Sequence, residues 1–134
     1  MRSFEFLIRG RPVSQQTRWR ERLREGKDFV RREAERSWRP RHAPADGPIC
    51  VTLVYLDDEA ALDVDTIIKP IQDAPVGLVF LDDSMVTDVI IRRRHLRGTF
   101  DLTQVSPVFI EGFGCGDEYV YARISGAPPQ EQLT

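Results

Sequence analysis

Cysteine and histidine are scarce in this chain, and long apolar runs are missing. The 134 residues include two cysteines, Cys50 and Cys115, and two histidines, His42 and His95. So few ligands argue against a structural zinc site, and both cysteines are expected to be buried free thiols. No run of about 18 apolar residues is present, which argues against a membrane span. A cytoplasmic location is therefore the default expectation.

Two further patterns are absent. Arg9 and Arg11 interrupt the apolar start of the chain, which argues against a signal peptide. No glycine-rich phosphate loop occurs, so no nucleotide cofactor is expected. A hydrophobic content of 41% is ordinary for a globular protein, and 134 residues suffice for one domain with a substantial core.

Charge is unevenly distributed along the chain. Residues 1–47 carry 13 basic and 7 acidic side chains, whereas residues 48–90 carry 1 and 9. A basic arm beside an acidic centre is typical of a protein that binds a phosphate backbone around a metal ion. The same split also fits two charged faces that meet in a dimer. The candidate DNA contacts in the basic arm are Arg9, Arg11 and Arg18. They are chosen in part because no acids lie near them in the sequence.

The acidic residues are concentrated between Leu62 and Met85. From Val64 the apolar residues recur at helical spacing and form one stripe, while Asp65, Lys69 and Asp73 line a different face. The simplest geometry has Asp65 as the N-cap of this helix. Pro70 within it predicts an irregular or kinked start, because proline lacks the N–H that the Thr66 carbonyl needs.

Several carboxylates brought together repel one another unless a cation lies among them. Oxygen ligands suit Mg²⁺ or Mn²⁺ rather than zinc. A neighbouring lysine is suited to stabilising charge on a phosphoryl group. The set of residue types therefore favours metal-assisted phosphodiester chemistry, although each acid taken alone is better explained as a cap, a turn residue or an i,i+4 ion-pair partner. The acids concerned are Asp63, Asp65, Asp73, Asp82 and Asp83.

These residues resemble the signature of the RusA family of endodeoxyribonucleases, which resolve Holliday junctions. The signature runs D-x-D-N, a lysine, D-A, a glycine and a paired D-D. The corresponding residues here are Asp63-Val64-Asp65-Thr66, Lys69-Pro70, Asp73-Ala74, Gly77 and Asp82-Asp83. The likeness spans about residues 4–94 and departs from the pattern at Thr66, where the family has asparagine, and at Pro75, where it has leucine.

The resemblance implies a homodimeric, magnesium-dependent enzyme that acts on four-way DNA junctions in repair or recombination, with Mn²⁺ as a possible substitute. It implies that Asp63, Asp65 and Asp83 hold the metal and that Lys69 is the catalytic lysine. Asp73 and Asp82 match acidic positions of less defined role. Two alternatives stay open: a module of the same fold that grips branched DNA without cutting it, and a DNA-independent partner protein whose acidic centre meets a basic surface.

The remaining elements predict an α+β domain over residues 1–124 with a flexible tail over 125–134. We expect a mixed sheet, two main helices packed against it, and a terminal β-hairpin. The predicted strands are 3–9, 49–56, 78–81, 86–94, 105–113 and 118–124, and the helices are 18–38 and the one that starts near Asp65. The three acids Asp57-Asp58-Glu59 are interpreted as a solvated turn, with a contact to the metal as the alternative, and a catalytic role for His95 is not favoured. On strand 86–94, Arg92 and Arg94 share one side and are candidate phosphate contacts.

Overall fold

The computed structural model describes residues 3–38 and 42–134, which form a single small domain. It has a four-stranded mixed sheet and three α-helices, and this confirms the predicted α+β class. The elements in chain order are β1 (Phe4–Arg9), α1 (Arg20–Ser37), β2 (Ile49–Asp57), α2 (Val64–Asp73), β3 (Val86–His95), α3 (Pro107–Phe113) and β4 (Tyr119–Gly126).

The strand order is β1-β4-β2-β3. Strand β4 lies between β1 and β2 and is antiparallel to both. Strands β2 and β3 are parallel, and α2 is the crossover that joins them. The predicted terminal hairpin is therefore wrong, because β4 pairs with strands distant in sequence. A parallel β2-α2-β3 unit places the carboxyl ends of both strands at one edge of the sheet.

One face of the sheet forms the main core with α1 and α2. Leu53 and Tyr55 of β2 pack there against Ile67 and Ile71 of α2, and all four side chains are buried. The opposite face carries a second apolar cluster under α3, built around Tyr119. This division fixes which strand residues share a side with α2.

Helix α1 runs without a break through Gly26. A Cβ at this position would lie 2.4 Å from the Cγ1 atom of Val13. The glycine therefore permits close approach of the preceding loop and does not split the helix.

Helix α2 continues through Pro70, which is buried. The Thr66 carbonyl, which has no partner at position 70, accepts a hydrogen bond of 2.7 Å from the backbone N–H of Gln15. The N-terminal loop thus satisfies the group that the proline leaves open. The predicted N-cap is wrong by two residues, since the helix begins after Asp63.

Residues 78–81 form a turn where a strand was predicted. Val79 and Phe80 are fully buried as expected of a strand, but Phe80 makes only isolated bridges, to Ala45 and Val76. Gly77, with φ of +85°, turns the chain, and its N–H donates to the Phe80 carbonyl. Burial without a neighbouring strand explains why the apolar run was misread.

The strand predicted over 105–113 is also wrong, because Pro107–Phe113 is helix α3. Ser106 is its N-cap, and the hydroxyl accepts from the Phe109 N–H at 3.2 Å. Pro107 occupies the first turn, where proline is favoured. Gly112 lets the helix approach the sheet, since a Cβ there would lie 2.3 Å from the Tyr119 ring.

Three smaller expectations need correction or confirmation. Strand β4 extends to Gly126, so the predicted tail contributes two residues to the sheet. Cys50 is buried as predicted, but Cys115 is exposed. Among the helices of the described residues, none has the length and apolar character needed to cross a membrane.

Candidate functional site

Lys69 lies at the centre of the residues that the sequence singled out. Its Nζ is 2.8 Å from Asp73 Oδ1, one turn further along α2, and 3.4 Å from Asp83 Oδ2. The hydrogen bond with Asp73 raises the pKa of Lys69, and Asp83 adds to this effect. Two separated parts of the acidic stretch thus converge on one ammonium group. We call Lys69, Asp73 and Asp83 the lysine cluster.

The chain reaches Asp83 through a capped turn. Asp82 accepts a hydrogen bond of 3.0 Å from the Ser84 N–H and caps a short 3₁₀ turn, Asp83–Met85. The same bond lowers the pKa of Asp82. Asp82 therefore has a structural role in this turn, while Asp83 faces the lysine.

An open depression of about 360 Å³ lies over the lysine cluster. Asp73 closes one side of it and also pairs with Lys27 of α1 at 3.4 Å. Asp73 is thereby shared between two lysines and links α1 to α2. The lining residues are Lys69, Asp73, Val76, Leu81, Asp82 and Asp83.

Asp63 and Asp65 lie at the opposite end of α2 from Asp73. Both are exposed, and neither makes a side-chain hydrogen bond or ion pair within the described ranges. The Asp63 carbonyl accepts from the Thr66 N–H at 3.1 Å and from the Thr66 hydroxyl at 2.8 Å. Asp65 lies one turn before Lys69, on the same side of the helix.

The oxygen donors have the right chemistry for a hard divalent cation, but they are not gathered around one point. Across residues 3–38 and 42–134, no group of three or more Asp, Glu, His or Cys side chains is placed to hold a metal ion. The predicted set of Asp63, Asp65 and Asp83 is therefore not a preformed cage, and metal binding by these residues stays a prediction.

The structure separates the five arginines proposed to contact DNA. Arg9 pairs with Glu33 and Glu111, and Arg11 pairs with Glu118, so these two arginines have acidic partners in the fold although none lies nearby in the sequence. These acids are distant in sequence and are brought close only by folding. Arg18 is exposed at the end of the loop before α1.

Arg92 and Arg94 lie on the face of the sheet opposite α2. In the β2–β3 register, Arg92 is beside Val54 and Arg94 is beside Leu56, and these two residues belong to the cluster under α3. Both arginines are exposed. They share a side, as predicted, but it is not the side that carries the lysine cluster.

A second polar cluster, which the sequence analysis did not identify, lies where β2 and β3 end. Asp57 is paired directly with His95 in the register, and its Oδ1 accepts a hydrogen bond from His95 Nδ1. Its Oδ2 lies 3.6 Å from Arg93 Nε. The Asp57 side chain is only 6% exposed, whereas that of His95 is 69% exposed. We call these three residues the histidine cluster.

The edge next to the histidine cluster is also polar. Buried Glu118 accepts from the Tyr55 hydroxyl at 3.1 Å and from the Asp58 N–H at 3.2 Å. Arg11 reaches the other oxygen of Glu118 at 3.5 Å. Burial is the main cause that raises the pKa of Tyr55. Glu118, which directly precedes β4, is thus hydrogen-bonded both to β2 and to the loop that follows β2.

A scan against protein-family models and a search of curated proteins each found no match to this chain.

Proposed function

We propose that this protein is a metal-dependent endodeoxyribonuclease that cleaves branched DNA, with four-way junctions as substrate. The observation that carries the proposal is the position of Lys69 between Asp73 and Asp83. These residues come from different parts of the motif, since Lys69 and Asp83 are 14 positions apart in the sequence. Their convergence supports a common role in chemistry on phosphate.

The proposed ligands of Mg²⁺, or Mn²⁺ in its place, are the exposed carboxylates of Asp63, Asp65 and Asp83. Such an ion supplies, when bound, charge stabilisation and an acidified water. Exposed aspartates change rotamer at little cost, so the proposal requires the cation to draw these side chains together. Lys69 would then contact a phosphate oxygen and stabilise negative charge that develops there.

The proposed substrate has a symmetry that a dimer can match. Two symmetric cuts in a four-way junction need two sites related by a two-fold axis, which a homodimer provides. Arg18, Arg92 and Arg94 are the proposed phosphate contacts that have no acid partner among the described residues. A role in recombination or repair within the cytoplasm belongs to the same proposal.

A second candidate function is a module that binds junctions without cutting them. Thr66 supports this candidate, because the residue is buried and its hydroxyl donates a hydrogen bond to the Asp63 carbonyl. The amide that the RusA signature has at this position is missing. The helix start is thereby stabilised, and the hydroxyl proton of Thr66 is not available to a ligand.

The decisive experiment is a cleavage assay on a synthetic four-way junction with and without Mg²⁺. Metal-dependent nicking that is lost in Asp65→Asn supports the nuclease. Asp101→Asn is the matched control, since Asp101 is an exposed aspartate outside the motif. Junction retention without nicking supports the binding module. No retention at all contradicts both and favours a protein partner in place of DNA.

A further inference from the structure

The outer edge of β3 is an uncovered strand with exposed apolar side chains. β3 is the last strand in the sheet order, and no other segment of residues 3–38 and 42–134 forms backbone hydrogen bonds with its outer side. Val89 is 41% exposed and Ile90 is 42% exposed. An uncovered edge of this kind is a template for another strand, and monomeric proteins usually cover or charge it.

Two opposite charges flank the apolar centre of this edge at equal distances. Asp88 lies two residues before Ile90, and Arg92 lies two residues after it. The β2–β3 register places these three side chains on one face of the sheet. In the part of the chain that the structure describes, neither charge has an ion-pair partner, and Asp88 accepts a hydrogen bond of 2.7 Å from the Thr87 hydroxyl. The segment 88–92 is therefore complementary to a second copy of itself that runs in the opposite direction.

We propose that two copies of this chain pair through β3, antiparallel and symmetric about Ile90. In this register Asp88 of each copy lies opposite Arg92 of the other. Val89 lies opposite Ile91 on the other face, and Ile90 lies opposite itself. The inference deepens the proposed function, because it names the surface of the homodimer, and it rests on that function only for the use of the dimer.

Symmetry limits the registers that compete with this one. Residues directly opposite in an antiparallel sheet point to the same face, so a two-fold axis perpendicular to the sheet passes between two copies of one residue. The neighbouring registers are thus centred on Val89 or Ile91. The first places Asp88 opposite Ile90, and the second places Arg92 opposite Ile90. Of the three registers, only the one centred on Ile90 matches each charge with an opposite charge and each apolar side chain with an apolar one.

This pairing arranges the two lysine clusters for symmetric action. Because the axis is perpendicular to the sheet, both copies of α2 lie on the same face of a joint eight-stranded sheet. β3 begins at Val86, four residues before Ile90, so the two copies of Val86 lie about 25 Å apart along the strands. Asp83 precedes Val86 by three residues. The two clusters therefore flank the axis on one face, as two symmetric cuts require.

The pairing also divides the roles of the arginines on β3. Arg92 is engaged by Asp88 of the second copy. Arg94 lies beyond the paired segment 88–92 and is exposed, so it is the arginine of the two that stays available to a DNA phosphate.

The first test is sedimentation equilibrium of the full chain without DNA or metal. Protein concentrations from about 1 to 100 µM are suitable, because a short strand contact gives a weaker dimer than a standard interface of about 1,600 Å². Asp88→Arg and Arg92→Asp should each weaken the dimer about 10-fold or more, since each turns two attractive cross-strand pairs into repulsive ones. Arg94→Asp is the matched control, because it changes the net charge equally outside the paired segment.

Rescue separates charge pairing from damage to the fold. An equimolar mixture of Asp88→Arg and Arg92→Asp should form a heterodimer, because each position then faces an opposite charge. The double variant Asp88→Arg/Arg92→Asp should likewise regain self-association. A misfolded variant would show neither recovery.

A disulfide cross-link tests the register. With Cys115→Ser as background, Ile90→Cys should form a disulfide-linked dimer under mild oxidation, because opposite Cα atoms in an antiparallel pair lie within disulfide range. Arg94→Cys in the same background is the control, since its two copies lie about 25 Å apart in this register.

The outcomes for this inference and for the nuclease differ. A chain that stays monomeric, or a dimer that Asp88→Arg does not weaken, overturns the surface, and the cleavage assay still decides the nuclease. Loss without recovery in the mixture and in the double variant also overturns it. Equal weakening by Arg94→Asp, or a cross-link through Arg94→Cys in place of Ile90→Cys, overturns the register. The expected pattern in a chain that never cleaves supports the surface and contradicts only the nuclease.

Discussion

Asp83 of the lysine cluster and Asp57 of the histidine cluster are both aspartates paired with cations, but they differ in burial. The Asp83 side chain is 55% exposed, and its partner Lys69 is 47% exposed. Asp57 is 6% exposed, while its partners His95 and Arg93 face solvent. One carboxylate is thus free to exchange partners, whereas the other is fixed.

This difference separates two ways of using a carboxylate. An exposed ion pair contributes little to stability, and its members can be drawn to a metal ion or a phosphate. A buried carboxylate must keep its hydrogen bonds, so it orients whatever it holds. We therefore expect substitutions in the lysine cluster to change chemistry, and substitution of Asp57 to change stability.

The largest expected effect is on cleavage. Lys69→Gln should lower the single-turnover rate on a four-way junction about 100-fold or more, because a positive charge that stabilises the transition state is lost. Lys27→Gln is the matched control, since Lys27 also pairs with Asp73 but belongs to α1. Equal loss in both variants would show that Asp73 pairing, rather than Lys69 itself, is what matters.

Removal of the buried carboxylate should have the largest effect on stability. Asp57→Ala is expected to lower the free energy of unfolding by about 2 kcal/mol, because His95 and Arg93 lose a charged hydrogen-bond partner. Urea denaturation measures this change. Asp58→Ala, whose ion pair with Arg97 is more exposed, should change it by only about 0.5 kcal/mol. Similar values for the two variants would contradict the importance assigned to the burial of Asp57.

The titration of Lys69 tests the ion pairs of the lysine cluster directly. Its pKa is raised above the ordinary 10.5, chiefly by Asp73. The contribution of the pair to stability is therefore complete below about pH 10.5 and is lost as the pH rises through the raised pKa. Carbon NMR of the Lys69 side chain measures this pKa, and Asp73→Asn should bring it down. A Lys69 pKa that is unchanged in Asp73→Asn would contradict the cause assigned to its rise.

The smallest expected effect is that of Asp83→Asn on stability. An exposed pair with a flexible lysine contributes at most about 0.5 kcal/mol, so the urea midpoint should hardly move. The same variant should lose Mg²⁺-dependent cleavage if Asp83 is a metal ligand. A large loss of stability would instead assign Asp83 a structural role like that of Asp57.

Regular patterns were sufficient to predict much of the fold. Strand β1 follows from period-two alternation, β2 from a continuous run of residues that favour strands, and helices α1 and α2 from helical spacing of their apolar residues. Strand β3 was also predicted. Helix α3 was missed although the Ser106-Pro107 start is a typical N-terminal signal, because a short apolar segment fits a strand equally well. The strand predicted over 78–81 was wrong because a buried turn can have the same apolar composition as a strand.

The candidate site likewise contains one contact that the sequence could predict and one that it could not. Lys69 and Asp73 are four residues apart on one helix, so their contact follows from local geometry. Asp57 and His95 are 38 residues apart, and no spacing rule relates them. Their contact could have been anticipated only from the expectation that β2 and β3 are parallel, since parallel strands bring their carboxyl ends together.

The sequence by itself determined the class of the domain, the amphipathic crossover helix and the row of charges along it, because these depend on periodicities within one element. Tertiary structure alone decided that β4 enters between β1 and β2, that Glu33 and Glu111 pair with Arg9 and Glu118 with Arg11, and that Asp57 is buried against His95. The physical reason is that charge pairing and burial depend on which elements become neighbours. That choice is made by packing over the whole chain, and no local pattern records it.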